Sequence, residues 1–302
     1  MLNLKDYIIE SIMDNEEILF NEADIELFLK TNYKIIGSYT INTSKTPYIV
    51  DVEGNIELKN KNMEYLTNKL FEFGKVDGIF SCTWCDSLKS LKGAPKKVGT
   101  MFNCTGCSSL TSLEGAPEEV YGIFNCSECN SLISLKGAPK KTVWVKCGSC
   151  DSLKSLEGAP KKVSKDFECE SCNSLTSLKG APREVGGDFE CYNCKSLTSL
   201  KGAPKEVSGF YCHGCDSLTS LEGAPKEVSK NFNCSDCGSL KSLEDAPKKV
   251  GGDFDCSYCV SLTSLEGAPK KVGGNFSCRR YGVKYTEDDV KKYTELEGYV
   301  IA

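Results

Sequence analysis

The feature that most constrains the fold is a cysteine pair that recurs along the chain. Nine Cys-x-x-Cys pairs follow one another at steps of 22 or 21 residues, and a tenth position keeps only Cys278. The pairs begin at Cys82, Cys104, Cys126, Cys147, Cys169, Cys191, Cys212, Cys234 and Cys256. A fixed period of this length indicates one supersecondary unit stacked on copies of itself. The 302 residues therefore predict one elongated stack rather than two globular domains.

The shared unit is V-x-x-x-F-x-C-x-x-C-x-S-L-x-S-L-x-G-A-P-K-x. Its Phe-x-Cys alternation predicts a short strand with both side chains pointing inward, and the two leucines continue the apolar inner wall. The Gly-Ala-Pro segment provides a bend. No stretch of the unit is long enough for an average helix of ~11 residues. We therefore predict a β-rich solenoid of parallel strands with about 22 residues per coil.

Stacked coils expose an apolar face at each end, so both ends require caps. Residues 1–55 predict a small α+β N-terminal cap, with apolar residues at helical spacing between Tyr7 and Met13. Helix starts are predicted at Asn15 and Asn21, where acidic residues follow. A turn at Glu53-Gly54-Asn55 is predicted to end this segment.

The solenoid itself is predicted to span residues 56–278. Its first unit, residues 56–75, is degenerate, and the Cys-x-x-Cys repeats follow it. Residues 279–302 predict a C-terminal cap with a short helix after Thr286, because a threonine followed by acids is typical of a helix start.

The repeat resembles a known family. The segment from Phe167 to Leu175, F-E-C-E-S-C-N-S-L, resembles the L-x-L-x-x-N/C-x-x-L core of the leucine-rich repeat. From Ile56 to Cys278 the chain is most similar to the L-T-S-L-x-G-x-P-x-x-V-x-G-x-F-x-C repeat proteins of tailed phages and bacteria. This resemblance implies a binding protein and names no ligand. Many members carry asparagine at the second cysteine, where it forms hydrogen bonds along the stack, and a thiol does so only weakly.

The cysteines allow three interpretations. Repeated Cys-x-x-Cys is the commonest spacing in zinc and iron–sulfur sites, and two adjacent pairs would supply four thiolates. The pattern favours small buried groups in two ladders at steps of about 4.8 Å, because neither cysteine lies on a glycine-bearing knuckle. A disulfide within a pair is disfavoured, since an extended separation approaches ~10 Å and exceeds the ~7 Å limit. We expect free thiols, no metal, no cofactor and a reducing cytoplasmic location.

Composition argues against several functions. The chain has one histidine, His213, and the shared positions carry no paired acid, base and nucleophile, so we expect no enzyme. No run approaches 18 apolar residues, and the N-terminus lacks the pattern of a secretory signal. Lysines after the prolines form a basic ladder suited to phosphates or simply to solubility. Without interleaved aromatic residues, and with a net charge of -5, nucleic acid is disfavoured.

In a repeat protein, information about function lies at the positions that differ between copies. Three strand positions face outward: the residue before the Phe, the residue between Phe and Cys, and the first residue after that Cys. Across neighbouring coils they form an apolar stripe that continues into carboxylates and tyrosines. The candidate partner-binding residues are Ile79, Met101, Ile123, Trp144, Asp166, Glu168, Glu170, Asp188, Glu190, Tyr192 and Tyr211.

An apolar patch bordered by charge, with Trp, Tyr and Met, is typical of protein-binding surfaces. We therefore predict a non-enzymatic protein–protein interaction module. The family resemblance implies a phage-encoded protein that acts on a host factor in the host cytoplasm. The alternatives are a structural component of a virion or other assembly, and a metal–thiolate protein that binds zinc. Two simpler explanations of the surface pattern stay open: the N-terminal cap covers the stripe, or the acids form an ordinary solvated face.

Overall fold

The structure, a computed structural model, describes residues 21–67, 71–282 and 285–302. The chain winds into a parallel β-solenoid of about 11 turns with about 22 residues per coil. Helices are few, with one near each end of the described chain. The predicted fold class is therefore confirmed.

The N-terminal segment begins with helix α1 (Glu22–Asn32). Its N-cap is Asn21, whose side chain accepts hydrogen bonds from the backbone N–H groups of Ala23 and Asp24, while the Asp24 carboxylate accepts from the Asn21 N–H. This reciprocal capping box satisfies helix N–H groups that have no partner within the helix. The helix start predicted at Asn21 is confirmed. The predictions for the stretch from Tyr7 to Met13 and for Asn15 lie outside the described residues.

Two long strands follow α1: β1 (Tyr33–Asn42) and β2 (Tyr48–Leu58). They pair antiparallel, with Gly37 directly opposite Gly54. The turn predicted at positions 53–55 is wrong, because β2 continues through them. The two glycines have φ values of +124° and +137°, and a Cβ on Gly54 would lie only 2.0 Å from the Ile36 carbonyl oxygen. Glycine here allows two backbones to approach closely rather than to turn.

The strand that contains the consensus Phe position of each coil joins one continuous ladder, here called the sheet face. Hydrogen bonding between successive coils is parallel and in register from Phe80 to Phe276. The strands of the sheet face are β4 (Ile79–Ser81), β6 (Met101–Asn103), β8 (Ile123–Asn125), β9 (Trp144–Lys146), β11 (Phe167–Glu168), β13 (Phe189–Glu190), β14 (Phe210–Tyr211), β16 (Phe232–Asn233), β18 (Phe254–Asp255), β20 (Phe276–Ser277) and β22 (Val300–Ile301).

A second ladder runs along another side of the coil, at the consensus valine. Its strands are β3 (Phe71–Val76), β5 (Lys97–Val98), β7 (Glu119–Val120), β10 (Lys162–Val163), β12 (Glu184–Val185), β15 (Glu227–Val228), β17 (Lys249–Val250), β19 (Lys271–Val272) and β21 (Glu295–Leu296). The first half of β2 pairs with β3 and its second half pairs with β4, so one strand starts both ladders. The predicted boundary between positions 55 and 56 thus falls within β2.

The second ladder is interrupted twice, at the coils that are one residue short. These coils lie on the two 21-residue steps, from Cys126 to Cys147 and from Cys191 to Cys212. Only isolated bridges at Lys141 and Glu206 remain there, and the ladder divides into three parts. Each deletion lies between the proline and the strand of the sheet face. The sheet face keeps its register, so the missing residue is lost from the second ladder.

The interior holds the shared apolar residues, which are almost completely inaccessible to solvent. Phenylalanine rings stack from coil to coil: Phe80 and Phe102 have centroids 5.4 Å apart and planes within 4°. Val145 interrupts this stack at the first shortened coil. All nineteen cysteines are buried, as predicted, and none is in a disulfide.

The backbone between the two cysteines of a pair forms a tight turn rather than an extended segment. The residue before the second cysteine has a positive φ, for example +56° at Ser171, in the left-handed region that favours glycine. The expected separation of ~10 Å within a pair, which assumed extended backbone, is therefore wrong. The positions with this left-handed conformation are Trp84, Gly106, Glu128, Ser149, Ser171, Asn193, Gly214, Asp236 and Tyr258.

The C-terminal segment closes the stack. Helix α2 (Glu287–Lys291) is N-capped by Thr286, whose side chain accepts from the Asp289 N–H, while the Asp289 carboxylate accepts from the Thr286 N–H. The short helix predicted after Thr286 is confirmed. Val290 is buried against the last coil, and β21 and β22 add one more strand to each ladder.

Candidate functional site

The apolar stripe occupies the first outward column of the sheet face. Ile79, Met101, Ile123 and Trp144 pair directly with one another on four neighbouring parallel strands. Strand spacing is about 4.8 Å, so four coils give a stripe of about 15 Å. Ile79 is 38% exposed and the other three side chains are partly exposed. Within the described ranges, the N-terminal segment continues the sheet beyond β4, because β2 pairs with β4 and β1 pairs with β2.

Trp144 ends the stripe and begins a polar cluster. Its indole N–H donates to Glu168 Oε1 over 2.8 Å, from one strand to the next. The Lys146 ammonium donates to both oxygens of the same carboxylate, at 2.9 and 2.7 Å, and lies 4.6 Å from the centre of the Trp144 ring. The Glu168 side chain is only 14% exposed and that of Lys146 30%. This partly buried ion pair holds the indole in place by a cation–π contact and a charge-assisted hydrogen bond.

Two carboxylates beside this cluster have no ion pair among the described residues. Burial, together with the nearby charges of Glu168, Glu170, Asp166 and Asp188, raises the pKa of Glu190 to about 7. Burial also raises the pKa of Glu170, whose Oε2 atom is buried without a hydrogen-bond partner in the described structure. Near neutral pH the Glu190 carboxyl group is therefore partly protonated, whereas an ordinary glutamate is ionised.

The space for Glu170 comes from a glycine on the preceding coil. A Cβ on Gly148 would lie 2.1 Å from Glu170 Oε1, so any side chain there would displace the carboxylate. Gly148 stands in the column where the other coils carry threonine, serine, glutamate, tyrosine, histidine or arginine. Because Gly148 has no side chain, the Glu170 carboxylate packs directly against the backbone of the preceding coil.

Asp166 and Asp188 have structural partners. The Asp166 side chain accepts a hydrogen bond of 2.9 Å from the Asp188 backbone N–H. The same contact recurs later in this column, from the Asp253 N–H to Asn231. Lys230, two coils further on, lies 3.3 Å from Asp188 Oδ1. These two aspartates therefore have hydrogen-bond or ionic partners within the fold, whereas Glu170 and Glu190 form no ion pair among the described residues.

Three aromatic rings border the acidic region. Tyr192 stacks on His213 of the next coil, with centroids 4.6 Å apart and planes within 8°. Burial lowers the pKa of His213, and its Nδ1 atom has no hydrogen-bond partner among the described residues. Tyr211 pairs with Glu190 across the strands β13 and β14. Burial raises the pKa of both Tyr192 and Tyr211, so both remain neutral hydroxyl groups.

The structure thus brings the predicted site residues together on one face, and it adds four that the sequence interpretation did not select. Lys146, Gly148 and His213 lie in the same outward columns, one coil away from Glu168, Glu170 and Tyr192. Lys230 comes from two coils beyond Asp188. Lys146 was detectable in principle, because an unlike charge one repeat before Glu168 in the same column marks a cross-strand pair.

The cysteine pairs form a second regular feature, inside the coils. The second thiol of a pair donates to the carbonyl oxygen of the first cysteine one coil back, at S···O distances of 3.0 to 3.3 Å. Burial raises the pKa of Cys172 to about 12. The described residues contain no group of three or more His, Cys, Asp or Glu arranged to hold a metal ion. The donors of this ladder are Cys107, Cys129, Cys150, Cys172, Cys194, Cys215, Cys237 and Cys259.

These features define a parallel β-solenoid repeat protein with a cysteine-lined interior and a variable sheet face. No protein-family model, curated protein or solved structure matches the chain. Neither helix in the described ranges has the length and apolar character that crossing a membrane requires.

Proposed function

We propose that the protein is a non-enzymatic protein-binding module whose partner docks on the sheet face between Ile79 and Tyr211. The observation that carries this proposal is the partly exposed stripe from Ile79 to Trp144, which borders carboxylates directly. Apolar anchors beside a charged rim provide both affinity and orientation at protein interfaces. Trp144 is the natural centre, because Lys146 and Glu168 fix its ring before any partner arrives, which lowers the entropy lost on binding.

The chemistry of the surface defines the partner. Lys146 neutralises Glu168 and Lys230 lies beside Asp188, whereas Glu170 and Glu190 form no ion pair within the described structure. A partner with an apolar ridge followed by lysine or arginine would fill the stripe and supply the missing charge. The raised pKa of Glu190 makes such binding tighter as pH rises, since the carboxylate gains its charge near neutral pH.

The proposed biological setting rests only on the resemblance of the repeats to those of the repeat proteins of tailed phages and bacteria. We propose a phage-encoded protein that acts on a host protein in the reducing cytoplasm. Nineteen free buried thiols are compatible with a compartment that keeps thiols reduced.

The test is capture of partners by the immobilised full chain and by surface variants, with bound proteins identified by mass spectrometry. The double variant Trp144→Ala/Glu168→Lys and the single variant Ile79→Lys each change the sheet face. The matched control is Ile133→Ala/Glu222→Lys, which makes the same kinds of change at exposed positions elsewhere.

We expect a defined protein to bind the unchanged chain and the control, and to be lost from both sheet-face variants. Urea midpoints establish that each variant is folded. A set of bound proteins that is the same for all four chains would overturn the proposal.

A further inference from the structure

The first shortened coil opens a groove on the side of the solenoid that carries the second ladder. The ladder stops there because the coil lacks one residue, and a groove of about 710 Å³ lies between this coil and its neighbours. A second groove, of about 550 Å³, lies at the other shortened coil. Both grooves thus accompany the two 21-residue steps. The sheet face lies on a different side of each coil.

The first groove is basic at its rim and apolar inside. Its lining includes four lysines and no acidic residue, with Tyr121, Val143, two alanines and two prolines between them. Lys141 pairs with Glu119 and Lys162 with Glu184. Lys140 and Lys161 have no carboxylate within 4.0 Å in the described part of the chain. These two lysines lie on adjacent coils, whose backbones are about 4.8 Å apart.

The second groove differs in charge, although the same kind of deletion creates it. Its lining includes Lys205, Lys226 and Lys249, but also Glu206 and Glu227. Two glutamates against three lysines give this lining a smaller net positive charge than the first groove, whose lining has four lysines and no acidic residue. Because both grooves arise from the same kind of deletion but differ in charge, comparing ligand binding at the two grooves separates the effect of groove shape on binding from the effect of charge.

We propose that the first groove is a docking site for an extended acidic peptide segment of a partner protein. Charge complementarity identifies the occupant: apolar side chains of the segment pack on Tyr121 and Val143, and its carboxylates pair with Lys140 and Lys161. Tyr121 is 58% exposed, so contact with an apolar side chain would remove its ring from water. An extended segment suits the site, because alternating residues present one apolar side and one acidic side.

The experiment measures fluorescence anisotropy of labelled probes with the full chain. The probes are a short peptide of alternating glutamate and leucine, one of alternating glutamate and serine, one of alternating lysine and leucine, and a thymidine oligonucleotide. We expect the glutamate–leucine peptide to bind most tightly and to weaken with added salt. Equal binding of the glutamate–serine peptide, or tighter binding of the oligonucleotide, would overturn the proposal.

The matched variants locate the site. Lys140→Glu/Lys161→Glu should weaken the glutamate–leucine peptide about tenfold, and Lys205→Glu/Lys226→Glu, with the same change in net charge, should alter it by less than about twofold. Tyr121→Ala tests the apolar wall and should also weaken binding. Equal losses in both double variants would show attraction to net charge alone and overturn the assignment. Trp144→Ala/Glu168→Lys should keep peptide binding, which separates this site from the sheet face.

Discussion

The thiol of Cys172 donates a hydrogen bond to the carbonyl oxygen of Cys147, one coil back, over 3.3 Å. Repetition of this contact links the coils through their interior, in addition to the two backbone ladders. By contrast, the Cys169 thiol, at the first position of its pair, has no hydrogen-bond acceptor among the described residues. The two cysteines of this pair are therefore equally buried but differ in hydrogen bonding. At three other first positions, Cys104, Cys147 and Cys256, the thiol donates to a carbonyl of the next coil.

This difference predicts opposite tolerance to serine. Cys172→Ser keeps a donor beside the Cys147 carbonyl, whereas Cys169→Ser places a hydroxyl where the thiol makes no hydrogen bond, so the hydroxyl must reorient to reach a carbonyl of the next coil. We expect the free energy of unfolding to fall by about 1–2 kcal/mol more for Cys169→Ser than for Cys172→Ser. Urea unfolding followed by circular dichroism measures the difference. Equal losses would mean that the thiol hydrogen bonds contribute little to stability.

The ion pair between Lys146 and Glu168 predicts a measurable contribution to stability. Lys146→Met leaves a carboxylate of low exposure without its cation, so we expect a loss of about 1–2 kcal/mol in the free energy of unfolding. The control is Lys179→Met, which removes an exposed pair with Glu157 and should destabilise the chain less, because water and salt screen exposed charges. A larger loss for the control would contradict the role assigned to Lys146.

The carboxyl group of Glu190 predicts a dependence of stability on pH. Its pKa is about 7 in the folded chain, against an ordinary value of 4.5, so the folded chain binds more protons between these values. The free energy of unfolding therefore falls as pH rises through this window. Glu190 is half-exposed, so solvent screening reduces the fall to about 1–2 kcal/mol.

Glu190→Gln should remove this fall in the free energy of unfolding. Glu222→Gln, at an exposed position away from the sheet face, should keep it. Urea midpoints measured from pH 4.5 to pH 7 test both variants. A Glu190→Gln chain whose stability still falls by the full amount over that window would assign the effect to Glu170 or to other groups.

The left-handed backbone at Ser171 predicts a stabilising substitution. A residue with a Cβ is strained at φ +56°, and glycine is not. Ser171→Gly should therefore raise the free energy of unfolding by about 0.5–1 kcal/mol, and Ser171→Val should lower it, because branching at Cβ adds strain. The measurement is again the urea midpoint. No gain with glycine would mean that the serine side chain makes a compensating contact.

Much of the fold was predictable from the chain. The period of the cysteines and the alternation of Phe and Cys identify the inner wall, because every coil repeats the same inward residues. Asn21 and Thr286 identify their helices, because capping depends on residues within one turn. The turn at positions 53–55 was mispredicted, because the role of Gly54 depends on Gly37 in the facing strand, which local sequence does not show.

The sequence by itself determined the coil, its inward residues and the columns that face outward, since these follow from side-chain alternation within one repeat. Only the tertiary structure decided that Trp144, Lys146 and Glu168 form one cluster and that Gly148 makes room for Glu170. Only the tertiary structure shows that the two one-residue deletions interrupt the second ladder and leave the sheet face continuous. The physical reason is that these contacts join residues a full coil apart, so they depend on how the coils stack and on how deeply each side chain is buried.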